Sequence, residues 1–194
     1  MKKFTLCLLT AAILGVGLSA NAQIQKGNVM VGGNLANLGL DLNGSKNFSL
    51  DLTPKAAWFI QDNVALGGYV NLGLKTVKDG PTTTNYGFGG LGRYYTGADT
   101  EVLKHGRFFG EATVGFGGTN TSKGGANTNG LAFSFGPGFA YFITPNIGLE
   151  TLLKYNATAG FGNTGYQNNL GLSFGFQIYL PGQRTANKVK GDVR

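Results

Sequence analysis

The chain has 194 residues, of which 34 are glycine, 13% are charged and one is cysteine, and its formal net charge is +7. Glycine at this level without a triplet repeat excludes a collagen-like rod, and the uniform composition up to Pro181 fits one domain. Much of the positive excess sits at the two ends, in Lys2 and Lys3 and in Arg184, Lys188, Lys190 and Arg194, so the body is nearly neutral and no nucleic-acid partner is expected.

Residues 1–22 have the layout of a secretory signal peptide: Lys2 and Lys3, an apolar run from Phe4 to Leu18, then Ala20, Asn21 and Ala22 as a small-residue cleavage site. The run is short of the ~20 residues that a membrane-spanning helix needs. Cleavage after Ala22 removes Cys7, which leaves a mature chain without disulfides or thiolate ligands.

From residue 28 onward a two-residue rhythm takes over, and strands are expected at 28–42, 47–60, 64–76, 85–96, 107–117, 130–143, 147–157 and 168–180. In the second of these, Phe48, Leu50, Leu52, Ala56, Trp58 and Ile60 share one face, because a strand points successive side chains to opposite sides. The same apolar wall recurs through Leu66, Val70 and Leu72, through Val114 and Phe116, and through Leu170, Leu172 and Phe174. The opposite wall carries the charges: Asp51, Lys55, Lys75, Arg93, Arg107, Glu111, Glu150 and Lys154. Soluble ligand-binding barrels are built the other way round, with an apolar inside and a wet outside. Here the apolar side must face something other than water; a bilayer is the natural candidate, and the core of a β-sandwich is the alternative. The expected fold is therefore all-β, an eight-stranded antiparallel up-and-down transmembrane β-barrel over residues 23–180, followed by a polar basic tail over 181–194.

Turn lengths orient such a barrel. Gln61 to Asn63 and Thr144 to Asn146 are short, whereas Val77 to Thr84, Gly118 to Asn129 and Thr158 to Gln167 are long and polar. Short turns belong to the periplasmic side, which puts both chain ends there. The long segment Gly97 to Gly106 on that side is an exception. Aromatic girdles are expected from Trp58, Tyr94, Phe108 and Tyr141 at the periplasmic boundary and from Phe48, Tyr86, Phe116 and Tyr155 at the outer one. The Phe48 to Trp58 spacing corresponds to about 23 Å of height in a tilted strand, close to the ~25 Å apolar band of outer-membrane barrels. Pro54 and Pro137 fall inside strands of a sheet with no free edge, so a bulge with disrupted pairing is expected at each.

Lys55, Arg93, Glu111 and Glu150 count to similar heights along their strands, which predicts a charge network inside the lumen. Such a network can plug and fix the barrel, or act as a gate or proton path. Gly87 to Gly92 matches the dinucleotide fingerprint in form, but Arg93 to Thr96 continues a strand where the fingerprint needs a helix. His105 is the only histidine, which leaves little for a metal or cofactor centre or a nucleophilic triad.

Segments Pro54 to Phe59, Asn63 to Gly67, Arg93 to Tyr95, Phe109 to Ala112, and Gly136 to Asn146 with Leu149 and Glu150 resemble the small outer-membrane β-barrel family common in Bacteroidota. The resemblance spans nearly the whole mature chain and implies an eight-stranded barrel of the OmpA/OmpX type. Such proteins usually end on an aromatic residue after the last strand, whereas this chain runs on from Pro181 to Arg194; Phe174, Phe176 and Tyr179 could supply an internal version of that signal. The expectation is a non-enzymatic, monomeric envelope protein of the outer membrane with a structural or surface-display role and no cofactor, whose partners are outer-membrane lipid and the barrel-assembly machinery. A narrow pore for small solutes or protons and an outer-membrane lipid-modifying enzyme are the alternatives.

Overall fold

In the computed structural model the alternating segments pair in chain order and the last closes on the first. The structure describes residues 24–40, 48–77, 80–97, 106–122, 127–161 and 166–182. The expected signal peptide, His105, most of the 97–106 connection and most of the tail lie outside them.

The strands are β1 (Val29–Leu40), β2 (Phe48–Gln61), β3 (Val64–Thr76), β4 (Thr82–Tyr95), β5 (Gly106–Thr121), β6 (Thr128–Thr144), β7 (Ile147–Gly160) and β8 (Tyr166–Leu180). Every neighbouring pair is antiparallel, including β1 with β8, where Val29 lies opposite Leu180. Closure through Val29–Ala36 on Ser173–Leu180 removes the long free edge of an open sheet, as a sheet in hydrocarbon requires. The first and last described residues, before β1 and after β8, lie at one end of the barrel, hereafter the termini end, tied by Gly182 N–H donating to Asn28 Oδ1 at 3.1 Å.

The side-chain alternation falls as the pattern predicts. Trp58, Leu66, Leu72, Val114, Phe135 and Phe174 are exposed on the outer surface, while Lys55, Arg93, Glu111 and Glu150 are buried. Trp58, Tyr94, Phe108 and Tyr141 stand on the exterior near the end that holds the termini. Phe48, Tyr86 and Phe116 are exposed toward the opposite end, and Tyr155 is half-buried there, its hydroxyl 2.7 Å from that of Tyr166.

The structure departs from expectation in two places. Most of the loops opposite the termini are shorter than predicted, because β4 to β8 run on past the Tyr86–Phe116 level. Thr83 pairs with Thr121 and Gly130 with Gly160, and the added segments are rich in Thr, Asn and Gly. Their outward side chains, such as Thr84, Asn120 and Asn129, are polar, so the two-face contrast that reveals a strand fades just where the ladder continues.

The prolines, secondly, make no bulges. Gly33 faces Pro54 and Gly110 faces Pro137 in unbroken register; the register shifts fall instead between Ala36 and Gly39, Phe59 and Gln61, and Phe142 and Thr144. A strand residue aims its N–H and C=O at one neighbour only, so a proline removes one ladder bond on one side. Pairing to β3 skips Thr53 and Pro54, and pairing to β7 skips Gly136 and Pro137. Asn71 bridges the first gap through its side chain, Nδ2 donating to Thr53 Oγ1 at 2.9 Å. Pro54→Ala restores one donor and is expected to change stability in detergent by no more than about 0.5 kcal/mol, as for a surface site; loss of the folded, unboiled gel band would contradict this.

The two shifts at the termini end flank tight turns. The β2–β3 turn is Asp62 and Asn63, with Asn63 at φ 65°, a left-handed conformation that asparagine tolerates. Its backbone is clasped from both sides: Asn63 N–H donates to Ile24 O, and Tyr95 N–H to Asn63 O, each at 2.8 Å.

A buried charge network beneath a polar cavity

The inward faces of β2, β4, β5 and β7 converge on one carboxylate. Glu111, from β5, accepts from Lys55 Nζ at 3.0 and 2.9 Å on its two oxygens, from Arg93 Nε at 3.0 Å, and from Lys154 Nζ at 3.1 Å. Arg93 also reaches Glu111 through Nη2 and spans to Glu150 through Nη1. Glu150 is held further by Tyr179 Oη donating at 3.1 Å and Gln177 Nε2 at 3.2 Å. The guanidinium lies over the Phe109 ring, 4.1 Å from its centroid, and Nη1 donates to Tyr95 Oη at 2.8 Å. A planar cation that can fork to two carboxylates and stack on a ring is what this position requires; a lysine could not do all three.

The four residues of the expected network, Lys55, Arg93, Glu111 and Glu150, are thus brought together, and Lys154 joins them. Asp51 stands further along β2 on the wall of the cavity, its carboxylate over Gly73. Lys75 is exposed at the far end of β3. Arg107 is buried near the termini end, where Nη1 donates to Gly106 O at 2.9 Å, apart from the network.

Below the network, toward the termini, the interior is an aromatic layer. Phe59, Tyr95, Phe109, Phe142 and Tyr179 pack with ring centroids 5.2 to 6.5 Å apart, alongside Met30 and Ile24. Tyr95 and Tyr179 share a hydroxyl contact of 2.8 Å and so link the layer to the ions above it. Sequence reading missed this layer. The available signal was parity: Tyr95 follows Arg93 by two residues and Phe109 precedes Glu111 by two, so both must share the charged wall.

Inward glycines make room for the rings. A Cβ on Gly138 would run into the Phe109 ring, and one on Gly148 would press on Tyr179 at 3.3 Å. Gly138→Val is therefore expected to displace Phe109 from Arg93 and to cost about 1–3 kcal/mol, the range for overpacking a filled interior, read as a lowered midpoint in urea titrations of the micelle-bound protein; an unchanged midpoint would remove Phe109 from its stacking role.

Above the network, away from the termini, the barrel is hollow. A cavity of about 900 Å³ is lined by Asn34, Thr53, Asn71, Asn85, Thr113, Ser134 and Asn156 among others, with Lys55, Tyr69 and Lys154 at its base. Small inward residues such as Gly87 and Gly117 leave this space, where β4 and β5 carry Tyr95 and Phe109 at the other end. The ions therefore form the floor of a chamber rather than the whole filling of a lumen.

No family model matches the chain, and no curated protein matches it. Solved structures do. The N-terminal β-barrel domain of Pseudomonas aeruginosa OprF aligns with a TM-score of 0.54 at 14% identity, covering 80% of this chain and 98% of that one. Neisserial surface protein A aligns with a TM-score of 0.52 at 18% identity, covering 78% of this chain and 95% of that one. The fold is that of an eight-stranded outer-membrane β-barrel. At these identities the likeness concerns the fold alone, and the network and chamber are read from this chain's own residues.

Proposed function

We propose that this chain is an integral protein of the outer membrane, exported by residues 1–22 with cleavage after Ala22, which serves a structural or surface-display role without catalysis. The observation that carries the reading is the exterior belt of apolar side chains between two aromatic levels around an interior closed at one end by ions and rings. With the termini in the periplasm, the sealed end faces inward and the chamber opens outward. The protein inserts as a monomer through the barrel-assembly machinery and contacts outer-membrane lipid. Kinship with the small Bacteroidota barrels is supported by the run Gly136 to Asn146, which forms the end of β6 and its turn into β7.

The chamber is the one observation that favours a narrow pore, and the layer of Phe59, Tyr95, Phe109, Phe142 and Tyr179 opposes it. In planar bilayers the folded protein is expected to give no discrete conductance steps; reproducible steps would replace the sealed-barrel reading by the pore. The envelope assignment itself is tested by fractionation. The expected result is a protein in the outer-membrane fraction, with Gln23 at its N-terminus by mass spectrometry, that migrates faster on a denaturing gel before boiling than after. Recovery in the soluble fraction, with no boiling-dependent shift, would overturn it.

A further inference from the structure

The chamber above the network differs from an ordinary apolar ligand pocket in the chemistry of its wall. Asn71 donates one amide N–H to Thr53 Oγ1, and Asn156 Nδ2 donates to Asn169 Oδ1 at 3.0 Å and to Lys154 O at 3.4 Å, so each keeps its carbonyl oxygen for the cavity. Asn85 does the reverse: its Oδ1 accepts from Thr119 Oγ1 at 2.8 Å, which keeps its amide donors. A wall that offers acceptors and donors in turn suits a ligand whose groups both donate and accept, and hydroxyl groups do so. The volume lies within the 300–1,000 Å³ range usual for small-molecule sites, and at the base Lys154 Nζ stands over the half-buried Tyr69 ring, 6.0 Å from its centroid.

Charge narrows the class further. The floor holds three cations, Lys55, Arg93 and Lys154, against two carboxylates, Glu111 and Glu150. Lys154 is the cation that reaches the cavity: its side chain is 15% exposed, while those of Lys55 and Arg93 are 2% and 0%. It gives one donor to Glu111, and a lysine ammonium has three. Asp51, four residues beyond Lys55 on the same face of β2, puts a carboxylate on the wall nearer the mouth. A ligand with one anionic group at its deep end matches the one surplus cation of the floor.

We propose that the chamber binds a short saccharide bearing one carboxylate, with the carboxylate on Lys154 and the hydroxyl groups on the asparagine wall. The proposal does not depend on which way the barrel faces in a membrane, so it can fail while the envelope assignment stands.

The test is an NMR titration of the folded, full-length mature chain in detergent micelles with methyl glucuronide and, in parallel, methyl glucoside. The glucuronide is expected to shift the side-chain amides of Asn71, Asn85 and Asn156 and to bind at least tenfold more tightly than the glucoside. Lys154→Gln should abolish that preference while the unboiled gel band persists, and Lys154→Arg should retain it. Absence of shifts at these amides, equal affinity for both sugars, or an undiminished preference in Lys154→Gln would each overturn the proposal. Should Lys154→Gln not fold, a loss of preference in the charge-retaining Lys154→Arg would do the same.

Discussion

Replacing Glu111 by alanine is expected to destabilise the folded barrel by at least about 3–5 kcal/mol, the range for removing one partner of a buried ion pair. Three cations converge on this carboxylate, and its loss leaves Lys55, Arg93 and Lys154 to share Glu150 alone. Glu150→Ala should cost less, because Arg93 keeps Glu111 and the groups released from Glu150 are neutral Tyr179 and Gln177. The order of the two effects is thus a sharper expectation than either size. The double variant Glu111→Ala with Lys55→Ala should recover part of the loss, since it removes one of the cations left without a counter-ion. Equilibrium urea unfolding in detergent or lipid vesicles measures all three. Equal midpoints for wild type and Glu111→Ala would show that the network carries no structural weight. The large cost of breaking the network does not make it a strong source of net stability, because buried ions lose most of their mutual attraction to desolvation.

The second large effect lies on the opposite face. Leu72 is outward-facing and pairs with Leu52, midway between the levels of Phe48 and Trp58. Leu72→Arg puts a guanidinium against hydrocarbon near the bilayer centre and is expected to cost about 2–4 kcal/mol in lipid vesicles. Its neighbour Asn71 points into the chamber, so Asn71→Lys should cost far less although it adds the same charge one residue away. If the two substitutions cost the same, side-chain direction does not decide the energy and the two-wall description fails.

The two walls were legible because each charged side chain shares a parity with the others across strands that are far apart in sequence. That one regularity yields the eight strands, their closure and the meeting of Lys55, Arg93, Glu111 and Glu150. The aromatic layer was not legible for a chemical reason: Tyr95, Phe109 and Tyr179 are apolar by composition and inward by position, so residue type alone assigns them to the wrong wall. The extended ends of β4 to β8 escaped because Thr, Asn and Gly occupy both of their faces. Pro54 and Pro137 misled because each costs a single ladder bond, which the closed sheet absorbs without a change of register. The chamber could not be inferred from strand number alone, since its volume depends on which inward positions are glycine and which are aromatic.

If the apolar wall meets lipid and the charged wall meets the interior, adjacent residues of one strand must lie in different surroundings. Thr113 and Val114 test it from adjacent positions in β5, the first 7% exposed and the second 56% exposed. Nitroxide labels on Thr113→Cys and Val114→Cys, in a chain made to begin at Gln23 and so free of any other cysteine, can be compared in lipid vesicles by their collision with oxygen and with a water-soluble nickel chelate. The label at 114 is expected to collide mainly with oxygen and hardly with the chelate, and the label at 113 to show the lower oxygen accessibility of the two. Higher oxygen access at 113 than at 114, or chelate access at 114 as great as its oxygen access, would contradict the two-wall arrangement.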